Sequence, residues 1–404
     1  MTDEQGARLW VARADLHSVR IVPDPDAPAA RPLAEGEARL RIHRFALTAN
    51  NITYAAFGEA LHYWDFFPTG DSAWGCIPVW GFAEVAESRA PGLGVGERYY
   101  GYWPMGRWLV LRPERIGPRG FVAGDAHRGA LPAVYNQAVR CDADPSYVAA
   151  QEAEQALLKP LFTTSFLIDD FLAEEGFFGA TQVLLSSASS KTGFATAFCM
   201  KRAPGSGPLS RPAPQGGASS PAEPDLLRRR RGTASAVRVL GCSSPRNLDF
   251  CRSLGVYDQL LAYDAIGTLD PQQRTVYVDF AGDADFRRRV HEHFRDALAY
   301  SCSVGGTHWQ ALGGGRELPG PKPALFFAPS HIARRSAAPP EGWGAALLGQ
   351  RIGEAWSAFL QRVGAADPPW LQVRDFVGPQ AAREALAAMV EGRANPREGW
   401  MLSV

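Results

Sequence analysis

Residues 38–45, Ala-Arg-Leu-Arg-Ile-His-Arg-Phe, alternate apolar and polar with a period of two, which predicts a strand with one buried face. Segments 79–86 and 98–103 read the same way and are separated by the turn-forming run Pro91-Gly92-Leu93-Gly94-Val95-Gly96. Together with the Gly, Pro and aromatic residues around them, these short segments predict a compact, mostly β domain. Near Glu152 the apolar spacing becomes helical, and 157–172 predicts an amphipathic helix. From Thr181 onward, strands are expected at 182–185, 237–240, 275–280, 297–301 and 324–328, with helical segments between most of them. Such alternation predicts an α/β domain with a parallel, doubly wound sheet. Helices at 343–363 and 381–391 and an apolar strand at 400–404 close the chain, and they are expected to return to the first domain.

Between the first helix and second strand of the α/β region lies 203–236, crowded with Pro, Gly, Ser and Ala and carrying Arg228-Arg229-Arg230-Arg231. It has almost no large apolar residue and is expected to be a disordered insertion. A helix-to-strand connection lies on the sheet's N-terminal side, whereas ligands bind at the C-terminal side. The insertion is therefore badly placed to form a site, and its arginine run is read as a solvated linker.

Composition narrows the function classes. The 404 residues are 46% hydrophobic, enough for two domains with a sizeable core. Forty-two basic residues balance forty-two acidic ones, so no global field favours nucleic acid or an anionic membrane. No apolar run reaches the roughly 20 residues of a membrane-spanning helix. Six scattered cysteines form no CxxC pair and follow no secretory leader, so the expectation is a cytoplasmic protein with reduced thiols.

The candidate chemistry sits in Ser186-Ser187-Ala188-Ser189-Ser190-Lys191-Thr192-Gly193, between a buried strand and a helix. A strand, a tight turn and a helix N-terminus form the geometry that holds a nucleotide phosphate. A Walker-type loop is rejected, because Leu185 and Ser190 occupy its two glycine positions. A dinucleotide turn fits better. Ser187 and Ser190 replace its first two glycines, Gly193 keeps the third, and Ser189, Thr192 and Lys191 add donors at a helix end already suited to anions. The plain alternative makes Ser189 an N-cap and Lys191 a surface lysine. At the end of the second strand, Gly241-Cys242-Ser243-Ser244-Pro245-Arg246-Asn247 carries no acid for a ribose 2′-hydroxyl. Ser243, Ser244 and Arg246 suit a 2′-phosphate instead, so the expected cofactor is NADP(H).

Placed after a β-rich domain, this turn makes the chain resemble the medium-chain dehydrogenase/reductase superfamily, on its zinc-free quinone-oxidoreductase side. Three segments narrow the resemblance to the DUF2855 branch. They are Leu47-Thr48-Ala49-Asn50-Asn51-Ile52-Thr53-Tyr54, Lys159-Pro160-Leu161-Phe162-Thr163-Thr164-Ser165-Phe166 and Ser187-Ala188-Ser189-Ser190-Lys191-Thr192. The resemblance implies a GroES-like catalytic domain over 1–158, completed by 330–404, and a Rossmann NADP-binding domain over 159–329. It sets Thr164 near the nicotinamide, aligns Val304-Gly305-Gly306 with a family glycine segment, and suggests a homodimer. Asn50 and Tyr54 resemble the Asn and Tyr of quinone reductases, although Thr53 occupies the Asp position and the spacing is one residue short.

The zinc ligands of alcohol dehydrogenases find no counterpart. Ala49-Asn50-Asn51 and Trp80-Gly81-Phe82 stand in the two ligand segments, no four-cysteine lobe exists, and no metal is expected. Without a metal, reduction of a polarised alkene or quinone needs a hydrogen-bond donor on the acceptor's oxygen. Tyr54 is the first candidate, with Asn50 or Asn51 orienting the carbonyl. Tyr135-Asn136 is a second constellation, and Tyr63, Trp64, Tyr102 and Trp103 are candidate walls for a flat small-molecule substrate. The expected function is an NADPH-dependent reductase of an α,β-unsaturated carbonyl, enoyl thioester or quinone. The competing reading is a non-catalytic NADP(H)-binding redox sensor or scaffold.

Overall fold

In the computed structural model, which describes residues 5–202, 237–306 and 318–404, the first third of the chain is built almost wholly from strands. These are β1 (Ala7–Ala12), β2 (Asp15–Pro23), β3 (Ala38–Leu47), β4 (Trp74–Gly75), β5 (Pro78–Ser88), β6 (Arg98–Pro104), β7 (Trp108–Leu111), β8 (Pro113–Gly117), β9 (Gly120–Ala123) and β10 (Gln137–Arg140), with helix α1 (Ala49–Ala56) after β3. Helix α2 (Glu152–Glu174) leads into β11 (Gln182–Leu185), α3 (Lys191–Lys201), β12 (Arg238–Ser243), α4 (Leu248–Leu254), β13 (Gln259–Ala262), β14 (Thr275–Asp279), α5 (Ala284–Phe294), β15 (Leu298–Ser303) and β16 (Ala324–Leu325). Helices α6 (Ala328–Ser336) and α7 (Ala345–Ala365) follow, then β17 (Gln372–Val377), α8 (Pro379–Val390) and β18 (Glu398–Ser403). The insertion expected at 203–236 lies outside the described residues. The chain divides into two units, Met1–Pro160 with Pro369–Val404, and Leu161–Pro368.

In the first unit, β2, β1 and β4 form a small antiparallel sheet, and a larger sheet runs in the order β17-β18-β3-β5-β6-β10-β9-β8, with β7 also on β3. The alternation of 38–45 holds only in part. Leu40 and Ile42 face the core, then two residues of β3 stand opposite one of β5 between Ile42 and Arg44, and the parity flips so that Phe45 and Leu47 are buried. Gly81 lies opposite this stretch, where a Cβ would come 2.3 Å from the Arg44 carbonyl, so only glycine lets β5 approach β3 there. The chain leaves β3 into α1 through a capping box at Thr48: Asn51 Oδ1 accepts the Thr48 amide at 2.8 Å, while Asn51 Nδ2 donates to the Pro78 carbonyl at 2.9 Å. This fixes α1 on β5 and sets Asn50 and Tyr54 one turn apart.

A buried ion pair holds the start of the chain. The Asp24 carboxylate accepts Arg8 Nη2 at 2.8 Å and the Arg107 and Trp108 amides at 3.0 and 2.9 Å. Burial outweighs these donors and holds the Asp24 carboxyl above its ordinary range.

The second unit carries a six-stranded parallel sheet in the order β13-β12-β11-β14-β15-β16. This is the strand order of the doubly wound dinucleotide fold, with the reversal between β11 and β14. The central strands are β11, β12 and β14, and they are the most apolar and most deeply buried. Two expectations change. The strand foreseen at 324–328 ends at Leu325, because Ala328 opens α6 with Pro329 in its first turn, where a missing N–H costs nothing. Strands β13 and β17 had no sequence signature, since each is an edge strand with few buried positions and so no alternation. At the sheet's N-terminal side, Asp258 receives both Lys201 at the end of α3 and the Val239 amide at the start of β12.

The turn from β11 into α3 is tight. Ser187 adopts a left-handed backbone with φ +51°, its carbonyl accepts the Ser190 amide at 2.8 Å, and Ser190 Oγ caps α3 by accepting the Gly193 amide at 3.0 Å. A Cβ on residue 193 would lie 2.6 Å from the Ser187 carbonyl. The third glycine of the turn is therefore required by packing, whereas Ser187 carries conformational strain that a glycine would not.

Three stability measurements check these assignments. Asp24→Ala leaves Arg8 with Asp26 as its one remaining carboxylate partner and strips the Arg107 and Trp108 amides of their acceptor, and it is expected to cost about 3 kcal/mol in chemical denaturation. Ser187→Gly is expected to stabilise by about 1 kcal/mol, through release of the left-handed strain. Gly193→Ala should destabilise by about 2 kcal/mol or more, since its Cβ meets backbone rather than a movable side chain.

Candidate functional site

In the second unit, the C-terminal ends of β11 and β14 are pinned by a buried network. Ser186 Oγ donates to Asp279 Oδ1 at 3.0 Å and accepts the Phe280 amide at 2.8 Å. Arg287 of α5 grips Asp279 Oδ2 through two nitrogens at 3.0 and 2.8 Å. The Val304 amide donates to the Asp279 carbonyl at 2.8 Å, and Gly305 sits where a Cβ would come 2.3 Å from the Phe280 carbonyl. The segment 304–306 is thereby held against the end of β14. These buried charges fix the strand ends from which the turn springs.

The turn's own donors are largely assigned. The Ser187 amide donates to the Tyr263 hydroxyl at 3.1 Å, the Ala188 amide to the Cys242 carbonyl at 2.8 Å, and the Ala188 carbonyl accepts the Tyr257 hydroxyl at 2.7 Å. Burial pushes the Tyr263 phenol up to about 12. Among the described residues, the amides of Ser189 and Thr192 take no internal partner. Ser189 Oγ accepts from the Ser243 hydroxyl at 3.0 Å and from Asn247 Nδ2 at 3.2 Å.

The remaining sequence candidates fall around this turn. Lys191 and Thr192 open α3 and are half-buried. Ser243 is buried and acts on Ser189, while Ser244 and Arg246 stand at the exposed end of β12, with Ser244 half-buried and Arg246 exposed. Thr164 is a half-buried residue of α2, and its neighbour Ser165 donates to the Thr192 carbonyl at 2.9 Å, which ties α2 to the start of α3. Tyr263, Tyr257 and Asn247 were not singled out from the sequence as site residues. Only their spacing after β12 and β13 marks them, and that spacing becomes legible once both strands are placed.

In the first unit, Tyr54 projects from α1 into a cluster of aromatic rings. Its ring centroid lies 4.6 Å from Tyr63, 5.6 Å from Tyr102 and 6.4 Å from Tyr135. The Tyr63 and Tyr135 hydroxyls are 3.2 Å apart, and Tyr54 Oη accepts Trp80 Nε1 at 3.2 Å. Burial holds the Tyr54, Tyr102 and Tyr135 phenols well above the usual tyrosine range, so all three remain protonated at neutral pH. Asn50, half-buried, faces the Tyr54 oxygen and favours its charged form. Asn51 is buried and both ends of its amide are used by Thr48 and Pro78. Asn136 is likewise held by Arg128, to whose carbonyl it donates at 3.1 Å. Trp64 packs on Gly58 and Gly75, and Trp103 donates to the Gly81 carbonyl at 2.9 Å; neither ring joins the cluster around Tyr54.

Among the described residues no group of three or more His, Cys, Asp or Glu side chains is placed to hold a metal ion. No described helix is long and apolar enough to cross a membrane. The six cysteines are buried as free thiols, and burial pushes Cys76 up to about 11.

Comparison with known proteins adds a family and a fold. The family model described as "Protein of unknown function (DUF2855)" matches residues 45–395. No curated protein sequence matches the chain. Solved structures match along its whole length. CurA of Vibrio vulnificus in complex with NADPH is 12% identical with a TM-score of 0.54, over 98% of this chain and 99% of that one. The CurF ER cyclopropanase of the curacin A biosynthetic pathway is 14% identical with a TM-score of 0.54, over 99% of both chains. The yhdH oxidoreductase of Salmonella enterica in complex with NADP is 10% identical with a TM-score of 0.50, over 99% of both. At such identities the likeness is one of fold, a Rossmann sheet combined with a GroES-like β domain. The chain therefore belongs to the DUF2855 family.

Proposed function

We propose that the protein is a zinc-independent, NADPH-dependent oxidoreductase that reduces an α,β-unsaturated carbonyl, an enoyl thioester or a quinone. The observation that carries this reading is the tight turn from β11 into the N-terminus of α3, where Gly193 packs on the Ser187 carbonyl and Ser189 stands at the opening of the helix. The residues fit a dinucleotide. Gly193 leaves the close approach that a Cβ would block, and the amides of Ser189 and Thr192 are open donors among the described residues.

Each chain residue then has a role. Ser187, Ser189, Ser190, Lys191, Thr192 and Gly193 form the pyrophosphate cradle, with Ser187 and Gly193 shaping it and Lys191 adding positive charge. Ser244 and Arg246, at the acid-free end of β12, would take a 2′-phosphate, with Ser243 acting through Ser189. Thr164 is assigned to the nicotinamide end. A bound NADPH would supply the hydride. Tyr54 donates a hydrogen bond to the acceptor's oxygen and Asn50 orients it, while Asn51 fixes the helix that carries both. Asn50, Asn51 and Trp80 at the two ligand segments offer no thiolate, imidazole or carboxylate, so this donor set does not suit zinc. That two solved structures of the same fold were obtained with NADPH and NADP supports the cofactor.

Fluorescence titration with NADPH and NADH tests the cofactor reading, and NADPH is expected to bind at least about tenfold tighter, the size of one charge-assisted contact. Equal affinity would remove the role given to Ser244 and Arg246. Lys191→Ala is expected to weaken NADPH binding by about tenfold, and an unchanged dissociation constant would refute its phosphate contact. NADPH consumption against a panel of enones, enoyl thioesters and quinones then separates the two classes of function. A protein that binds NADPH tightly yet reduces none of them is the sensor or scaffold, not the reductase.

A further inference from the structure

Arg128 is a buried charge for which the chemistry above has no use. It is 2% exposed and ends the short turn Ala126–Arg128 after β9, where its amide donates to the Asp125 carbonyl at 2.8 Å. Asn136 holds it from the other side: Nδ2 donates to the Arg128 carbonyl at 3.1 Å, and Oδ1 accepts Arg128 Nη1 at 3.4 Å. A guanidinium carries five N–H donors. Among the described residues, that one long bond is all the side chain makes. Its only ion-pair partner there, Asp125, stands 3.9 Å from Nε, beyond hydrogen-bond reach. Nε is sealed without a partner, whereas Nη2 also lacks one and is not sealed.

The remaining surroundings are aromatic. The guanidinium carbon lies 4.7 Å from the centre of the Phe67 ring and 5.7 Å from that of Phe66. Phe66 packs on Tyr102 and Tyr135 at 5.3 and 5.4 Å, and both of these rings contact Tyr54. Two rings thus separate the charge from Tyr54. Burial lowers the guanidinium to about 10, which still leaves it protonated at neutral pH. A buried cation so short of acceptors costs stability that an apolar side chain of the same length would not. Its spare donors suit a partner that comes from outside the chain. A single cation with Asp125 nearby balances a monoanion better than a doubly charged phosphate. The Nη1–Nη2 edge matches the two oxygens of a carboxylate, and the Phe66 and Phe67 rings offer contact to the carbon chain behind it.

We propose that Arg128 is a specificity-determining residue that binds a carboxylate carried by the acceptor, so that the preferred acceptors are enones bearing an acid group rather than neutral ones. This rests on the reductase reading above. Anchoring the remote charge at Arg128 turns the conjugated carbonyl toward Tyr54, so that binding energy far from the reacting atoms is used for orientation.

The test pairs enone carboxylates of increasing chain length with their methyl esters, read as kcat/KM for NADPH oxidation by the full chain. At the best-fitting length the wild type is expected to favour the acid by about 10- to 100-fold, the size of a hydrogen bond between charged groups, and Arg128→Met to bring that ratio close to one. Arg128→Lys keeps the charge, loses the planar fork and should fall between them. Calorimetric titration with the saturated keto acid of that length, which has no alkene to reduce, reads the site without turnover; it should bind the wild type and not Arg128→Met. The melting temperature of Arg128→Met should be no lower than that of the wild type. No preference for the acid in the wild type, or keto-acid binding that survives Arg128→Met, overturns the inference and leaves the reductase reading standing. So does a lowered melting temperature with an unchanged acid-to-ester ratio, the mark of a merely structural arginine. Inorganic phosphate binding more tightly than the keto acid overturns the choice of a carboxylate. A wild type that binds NADPH and reduces no acceptor overturns the reductase reading, and the keto-acid titration then still decides whether Arg128 holds a carboxylate.

Discussion

Six parallel strands end along one side of the central sheet, and the chain leaves the first of them through a turn that works only because one atom is missing. The Ser187 carbonyl occupies the space where a residue other than glycine at 193 would carry its Cβ. That approach sets the start of α3 directly over the end of β11, which aims the helix's N-terminus and its partial positive charge out of the strand ends. The Ser190 cap, the Ser189 hydroxyl and the placement of Lys191 all follow from it. So does the strain at Ser187, whose left-handed backbone is the consequence of putting serine where the turn calls for glycine. The network of Ser186, Asp279 and Arg287 fixes the strand ends beneath, so the turn rests on a rigid base.

Hydroxyl groups in both units sit among fixed donors. Ser189 Oγ accepts from Ser243 and from Asn247 Nδ2, and Tyr54 Oη accepts Trp80 Nε1. In each case neighbouring groups hold the hydroxyl oxygen in place. The cost of ordering a hydroxyl is met when the chain folds rather than when a ligand arrives, which is the physical content of preorganisation.

The sequence made part of this legible. The glycine at 193 and the run of small residues before it identified the turn, because packing leaves so little choice there. The parallel sheet could be read from its central strands, whose continuous apolar runs reflect burial on both faces. Edge strands β13 and β17 could not, since half-exposed positions carry no period. Tyr54 could be picked out by its place after the first long strand, but the division of labour between Asn50 and Asn51 could not. Both are amides in the same helix turn, and only the capping box shows that Asn51 is already committed. Tyr263, Tyr257 and Trp80 escaped for a related reason. A tyrosine or tryptophan in an apolar stretch reads as core, and whether its polar atom finds a partner depends on residues far away in the chain.

The carboxylate of Asp258 has an implication of another kind. It holds the last turn of α3 through Lys201 and the first residues of β12 through the Val239 amide, the two points between which the chain runs from 202 to 238. With both exits bound to one side chain, the sheet senses that the ends meet and not how much chain joins them. Closing a longer connection adds only about 0.6 kcal/mol per doubling of its length. The junction is thus an evolutionary and engineering port at the N-terminal side of the sheet, away from the turn between β11 and α3, open to inserted or deleted sequence at little thermodynamic expense.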